Sequence, residues 1–473
     1  MAGTPALRAL LLTELLGLLA GAAGQTAMGW WIAQRGGGRD LAVYGALTAA
    51  CSLAALPLLS PLGDRWPKQR LIRLAGALLV LDALVLAVLA RQGLYRLPLL
   101  CACGVVSVLA NALLLPVQAS VLPELVAPEG LPQAIRLRRG AQAVGGLLGP
   151  GLAGLALAVG GVPLAMALNV ALYALALVAS LRLQPAPGPT GRAPSTGWFG
   201  DVAAGLRAKW RVRLDRWWTL TGALMMVFLI PATGMLLPLR LQSLGLQAGW
   251  FGACTAALSL GLLLGACGLA DALIARVGRV RAVGAAVALC GLAIGSVGAF
   301  AWAPALVASF AAIGLCMSVT QLIGQTHRTL AVPGPFRARM AAAQLALSQV
   351  AAALAPVVAG LLLMRWEVSA VYVVSALAFV CSGLLLLAVP DLRPFLLLGH
   401  DQARDWYARQ YPEAFGQPVG RAKPGLGFAW LCRRSHPLRS PWPAATHFRP
   451  RHGRSPDAGT PSGAHKHREP PTT

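Results

Sequence analysis

Apolar runs of about twenty residues or more recur along this chain with short polar breaks between them, and few folds accept such a pattern. Crossing the roughly 30 Å hydrocarbon core as a helix takes about 20 apolar residues. A spanning barrel would instead show short segments that alternate apolar with polar, whereas Leu, Ala, Val and Gly run continuously here. Twelve candidate spans result, at residues 8–33, 41–62, 71–90, 97–122, 140–161, 163–181, 217–238, 249–275, 282–301, 303–325, 340–364 and 369–389. A 12% share of charged residues agrees, since a soluble globule carries about a quarter. The expected fold class is all-α integral membrane, with twelve transmembrane helices.

Composition shifts mark the domains. Gln184-Pro185-Ala186-Pro187-Gly188-Pro189 and the polar stretch after it read as a linker, and from Trp198 to Arg216 charges recur on one helical face, as in an interfacial helix. Residues 184–216 thus separate an N-terminal six-helix half, 1–183, from a C-terminal one, 217–390. Residues 391–420 read as an amphipathic cytoplasmic segment, one helix from Asp391 to Gly416 with Trp406, Tyr407 and Tyr411 at the membrane surface. The basic stretch 421–473, nearly free of acids, reads as disorder.

The net charge of +24 does not point to nucleic acid, because Lys and Arg crowd the loops on one side of the spans and the tail. The positive-inside rule then puts both termini in the cytoplasm. The first apolar run continues to Gln34, long enough to stay as a span rather than serve as a cleaved signal. The nine cysteines are scattered, and Cys101 and Cys103 would point about 200° apart on a helix. They are expected to be small buried fillers, with no metal site and no disulfide framework. No loop clusters His, Asp or Ser at catalytic spacing and none pairs a Gly-rich turn with Lys, so an enzyme is not expected, nor any cofactor.

Ser60-Pro61-Leu62-Gly63-Asp64-Arg65-Trp66-Pro67-Lys68-Gln69-Arg70 places one acid and three bases between two apolar runs. Such a hinge at a membrane surface can pair with a neighbouring helix end in one conformation and release it in another. Leu273-Ile274-Ala275-Arg276-Val277-Gly278-Arg279-Val280-Arg281 repeats it, with Ala275 in place of Asp64, and Pro150-Gly151-Leu152-Ala153-Gly154-Leu155 recurs as Pro356-Val357-Val358-Ala359-Gly360-Leu361. Two pairs in the same order, each about 210 residues apart, indicate duplication of the two halves.

The hinge resembles the signature of the major facilitator superfamily between its second and third helices, with Asp64, Arg65, Lys68 and Arg70 matching and Ser60 and Pro67 standing where glycines are usual. Leu122-Pro123-Glu124-Leu125-Val126-Ala127-Pro128-Glu129-Gly130-Leu131-Pro132-Gln133-Ala134 and Phe199-Gly200-Asp201-Val202-Ala203-Ala204-Gly205-Leu206-Arg207 resemble the bacterial branch that holds the enterobactin exporter and macrolide-efflux proteins. The resemblance implies a monomeric secondary transporter of the bacterial inner membrane, two pseudo-symmetric six-helix halves around a central site, and alternating access. Gly145-x-x-x-Gly149-Pro150-x-x-x-Gly154 resembles the antiporter motif of superfamily exporters, which implies export in exchange for protons.

Ionisable groups inside a membrane are costly, so Glu14 and Asp82, the acids most clearly within apolar runs, are the proton-coupling candidates. Glu124 and His327 read as interfacial. Gln25, Asn111, Gln118, Gln142, Asn169, Gln321, Gln325, Gln344 and Gln349 are the polar candidates for a cavity lining. Trp30, Trp31, Trp217 and Trp218, at span ends, read as interface belts. A cavity poor in charge would suit a small amphiphile, siderophore or drug-like. Arg136, Arg138 and Arg139 keep open the alternative of a lysophospholipid or other lipid translocator.

Overall fold

A computed structural model describes residues 5–59, 67–126, 131–183, 198–389 and 391–415. Within them lie ten helical segments long and apolar enough to cross a membrane. The N-terminal group comprises α1 (Pro5–Leu59), α2 (Lys68–Arg91), α3 (Leu97–Leu125) and α4 (Leu131–Leu181), and α5 (Trp198–Arg211) follows it. The C-terminal group comprises α6 (Arg213–Thr233), α7 (Leu236–Ser243), α8 (Ala248–Leu264), α9 (Ala270–Val277), α10 (Arg279–Ala299), α11 (Ala303–Ala331), α12 (Arg337–Leu363) and α13 (Val368–Leu387). A π turn at Gly265–Leu269 joins α8 to α9, and α6 with α7 forms one interrupted span.

Ten segments supply twelve crossings because two of them turn back. Straight helices of 55 and 51 residues, the lengths of α1 and α4, would run about 80 Å, far beyond a bilayer core. Each breaks at one glycine in the same conformation, Gly37 (φ 65°, ψ −160°) and Gly161 (φ 65°, ψ −162°). Only glycine takes that conformation without strain. The reversal shows in the contacts of α4: Arg138, early in it, meets Glu14, while Ser180, at its other end, shares a small cavity with Thr13.

Burial shows where the two groups join. One apolar core lies wholly in the N-terminal group, from Leu7 and Leu71 to Leu172 and Leu183. A second fills the C-terminal group and crosses into the first through residues near the Gly37 and Gly161 turns, among them Ile32, Leu41, Leu100 and Met166. The groups therefore share a core at the end opposite residues 5 and 183. At that far end Arg240, 8% exposed, donates to the carbonyls of Val297, Gly298 and Phe300 at 3.1, 2.7 and 3.3 Å, satisfying the last turn of α10.

Several expectations are corrected here. Trp30, Trp31 and Trp218 are buried, the first two against Phe251 and Tyr95, and only Trp217 is exposed as a belt residue would be. Interhelical gaps at span ends take the indole rings. Residues 391–415 do not form one helix. They fold into α14 (Leu392–Leu397), α15 (His400–Ala403), α16 (Trp406–Gln410) and a 3₁₀ turn at Pro412–Phe415. Asp391 and Asp405 adopt positive φ, and Pro412 ends α16. Tyr407 is fully buried rather than at the membrane surface. Phe395 anchors this segment, stacked on Tyr407 and edge-on to Trp218 and His327, so His327 is buried rather than interfacial. Cys267 and Cys381 are exposed, unlike the other intramembrane cysteines, which are buried or half-buried.

Gly161→Ala forces a Cβ into the glycine-only conformation and is expected to cost about 1–3 kcal/mol. A lower thermal midpoint in detergent, with no comparable loss for Gly146→Ala, where a Cβ meets open space, checks this.

Candidate functional site

Three arrangements of side chains have functional character, and the first pairs two residues far apart in sequence. Glu14 is 2% exposed, and the Arg138 Nε lies 2.7 Å from both of its carboxylate oxygens. A buried carboxylate needs such a partner, because desolvation of an isolated charge costs several kcal/mol. Asp82, also buried, accepts a 2.6 Å hydrogen bond from Ser107. One acid is thus ion-paired and the other held by a neutral hydroxyl.

The second is a seam between the two groups. Gly145 and Gly149 lie against Leu15, Leu18, Leu19 and Ala22 of α1, within the N-terminal group, whereas Gly154 meets Gly252 of α8 across the junction. A Cβ on Gly154 would lie 2.5 Å from the Gly252 Cα, so only two glycines allow this approach. Ser259 adds a 3.1 Å bond to the Gly146 carbonyl. A matching seam runs between the second arm of α1 and α12, where Gly45 packs on Pro356, Gly360 on Ala42, and Gln349 donates to Ser52 at 2.8 Å.

The third is a buried polar core at the base of the C-terminal group. Asp215, 1% exposed, lies 2.8 Å from the Lys209 Nζ and 2.6 Å from the Arg328 Nη2. Both cations also donate to the Thr219 hydroxyl and to the Gln344 side-chain amide oxygen Oε1. The Tyr407 hydroxyl donates to Asp215 at 3.3 Å, and the Arg328 guanidinium lies over the Trp218 ring. Burial pushes the Lys209 ammonium down from 10.5 to about 8, with Asp215 opposing the shift and Arg328 adding to it. The same burial, with Asp215 beside it, lifts the Tyr407 phenol well above its ordinary range. This core borders a cavity of about 790 Å³ lined by residues of α5, α6, α10, α11, α12 and α13.

Asp215, Lys209, Arg328 and Tyr407 were not among the sequence candidates. Their only signal is a lone acid inside the basic run from Arg207 to Arg216, and nothing in a linear pattern links that run to Arg328 or Tyr407. Lys209, Asp215, Arg328 and Arg337 all line this cavity.

Of the other candidates, Gln321 and Gln344 line the cavity, Asn169 donates to the Ala20 carbonyl and Asn111 to the Ser107 carbonyl. Gln118 is buried, Gln142 half-buried and Gln25 exposed. In the second hinge Gly278 turns the chain with φ 85°, Arg276 and Arg281 are exposed, and Arg279 donates to the Leu398 carbonyl at 2.8 Å. Lys68 and Arg70 open α2. Asp64 and Arg65, and the side chains of Glu124 and Gln325, lie outside the described residues. Among the described residues no group of His, Cys, Asp and Glu could hold a metal ion.

A sequence profile of the Major Facilitator Superfamily matches residues 10–296, more than half of the chain. The chain belongs to this superfamily. Solved structures agree on the fold. The nucleoside transporter NupG superposes with a TM-score of 0.65 at 13% identity, over 81% of this chain and 98% of NupG. A POT family transporter in complex with 5-aminolevulinic acid gives 0.64 at 13%, over 83% and 96% of the two chains. A peptide transporter POT in complex with sulfate gives 0.63 at 16%, also over 83% and 96%. At these identities the likeness is one of fold alone. No curated protein sequence matches the chain. This superfamily member is a multi-pass secondary transporter of small molecules, not an enzyme.

Asp215→Asn would leave two buried cations without their carboxylate and is expected to destabilise the transporter by about 3–5 kcal/mol. Tyr407→Phe removes one hydrogen bond and is expected to cost about 1 kcal/mol. Denaturant titration of the two variants in detergent reads the difference. Between pH 8 and 10.5 the unfolded chain holds a proton on Lys209 that the folded chain lacks. Stability from this group therefore rises with pH across that window. Tyr407 keeps its proton there in the folded chain. Thermal midpoints measured across the window should lose this upward component in Lys209→Met.

Proposed function

We propose that this transporter exports a small amphiphilic molecule in exchange for protons. It would work as a monomer in the bacterial inner membrane, with both termini cytoplasmic. The excess of Lys and Arg on the side of the termini supports that orientation. With the far end joined, the conformation then reads as inward-facing.

The Glu14–Arg138 pair carries the coupling. A proton on Glu14 cancels its charge and dissolves the pair, leaving Arg138 free on α4. The same helix carries Gly154 at the seam, about 24 Å along its axis from Arg138. A charge event near one end and a helix contact near the other therefore act on one continuous helix, which Pro150 lets bend between them. In the cycle, Glu14 or Asp82 takes a proton from outside as substrate leaves, and deprotonation inside restores affinity. Asp64 and its basic hinge, with Arg276, Gly278, Arg279 and Arg281 as the second copy, would hold the outward-open form.

A second reading, a lysophospholipid or other lipid translocator of the same fold, is favoured by the cations bordering the 790 Å³ cavity. Inside-out vesicles with an acidic interior, screened with siderophores, macrolides and lysolipids, separate the two. Proton-coupled export predicts substrate-dependent proton loss from the interior, abolished when Glu14→Gln and Asp82→Asn are combined. Transport that survives the double variant would exclude both acids as coupling sites. Movement indifferent to the gradient would support lipid translocation.

A further inference from the structure

The described residues that line the cavity at the base of the C-terminal group belong to that group and to α5. Its wall is apolar over most of its extent, with Met225, Met226, Leu229, Val287, Phe379 and Leu386 facing it. Methionine side chains adapt to flexible chains more readily than branched ones. Lys209, Arg328 and Arg337 also line it, against Asp215 as the acid. Lys209 and Asp215 are buried and cancel each other, so the excess of positive charge comes from half-buried Arg328 and from Arg337 at the exposed edge. An anion admitted beside these cations would offset that excess, and the apolar wall would accept the rest of the molecule. The volume of about 790 Å³ falls within the range of ligand cavities.

We propose that this cavity binds a single-chain anionic amphiphile, with its chain among the methionines and Phe379 and its carboxylate or phosphate head at Arg328 and Arg337. The proposal rests on the second reading for its ligand class, and binding measured without a gradient tests the site apart from transport. Gly222 lines the chain compartment, and a Cβ there meets nothing within 4 Å, so a larger side chain can fill the space without an initial clash. Arg337 is exposed on one side and donates to the Val332 carbonyl through Nε, so its charge can be removed without touching Asp215.

The test is equilibrium binding to the full chain in phosphatidylcholine nanodiscs. The probes are radiolabelled palmitate, palmitoyl lysophosphatidylglycerol, zwitterionic palmitoyl lysophosphatidylcholine and inorganic phosphate. At least one anionic amphiphile should bind about tenfold tighter than the zwitterion, with inorganic phosphate weaker still. The tighter of the two anions assigns the head as carboxylate or phosphate. Gly222→Phe should lower binding about tenfold while Gly222→Ala keeps it, and Arg337→Gln should narrow the gap between anion and zwitterion. Equal binding of anion and zwitterion would overturn the proposal. So would wild-type binding by Gly222→Phe, with thermal midpoints showing that the variant is folded.

Discussion

A peptide group in hydrocarbon has no water to bond to, so each must be satisfied within its own helix. That constraint makes every crossing here helical and leaves little for the hydrophobic effect to choose between one helix pairing and another. Specificity falls instead to close approaches and to buried charges. Gly154 against Gly252 supplies the first, a backbone contact that any side chain would prevent. Asp215 between Lys209 and Arg328 supplies the second. The seams lie toward the far end, the shared polar core lies at the base, and neither uses residues of the other.

Helix α4 connects the features that the proposed cycle needs. Near its start Arg138 holds Glu14, at its middle Gly145 and Gly149 rest on α1, and beyond them Gly154 reaches the other half. The facing helix α8 ends in a π turn where Gly268 has φ 111°, the kind of local break found where helices flex. A helix that Pro150 lets bend thus meets a helix with a soft joint. Around the base, α5 contributes Lys209 and the C-terminal segment contributes Tyr407 to one carboxylate, while Arg279 of the second hinge bonds to the carbonyls of Leu396 and Leu398. Segments on either side of the C-terminal group are tied to its core.

Much of this fold is written in the spacing of apolar runs, because length and hydropathy alone decide whether a helix spans. The twelve predicted spans match the ten helical segments once Gly37 and Gly161 divide α1 and α4. The glycine stripe of α4 was also legible, since small residues four apart mark a packing face whatever their partner. What could not be read was partnership. Glu14 stood out as an acid in an apolar run, but Arg138 looked like one of three loop arginines. Asp215 was hidden in a basic run that resembles any interfacial helix, and Tyr407 in a segment whose aromatic residues fit a membrane surface equally well. Burial is a tertiary property, and for Trp30, Trp31 and His327 it ran against their position at span ends.

The central claim is that the two halves rock about the seam, closed at one end when open at the other. Spin labels on a background without native cysteines test it most directly. One pair at exposed positions near the termini side, Arg136→Cys with Arg276→Cys, reports on that end, and Arg35→Cys with Arg365→Cys reports on the far end. Double electron–electron resonance would then be recorded with and without Gly154→Val, which places side-chain atoms against the Gly252 backbone. Rocking predicts that the valine shortens the first distance and lengthens the second. Two distances that change in the same direction, or that both stay fixed in a folded variant, would contradict it.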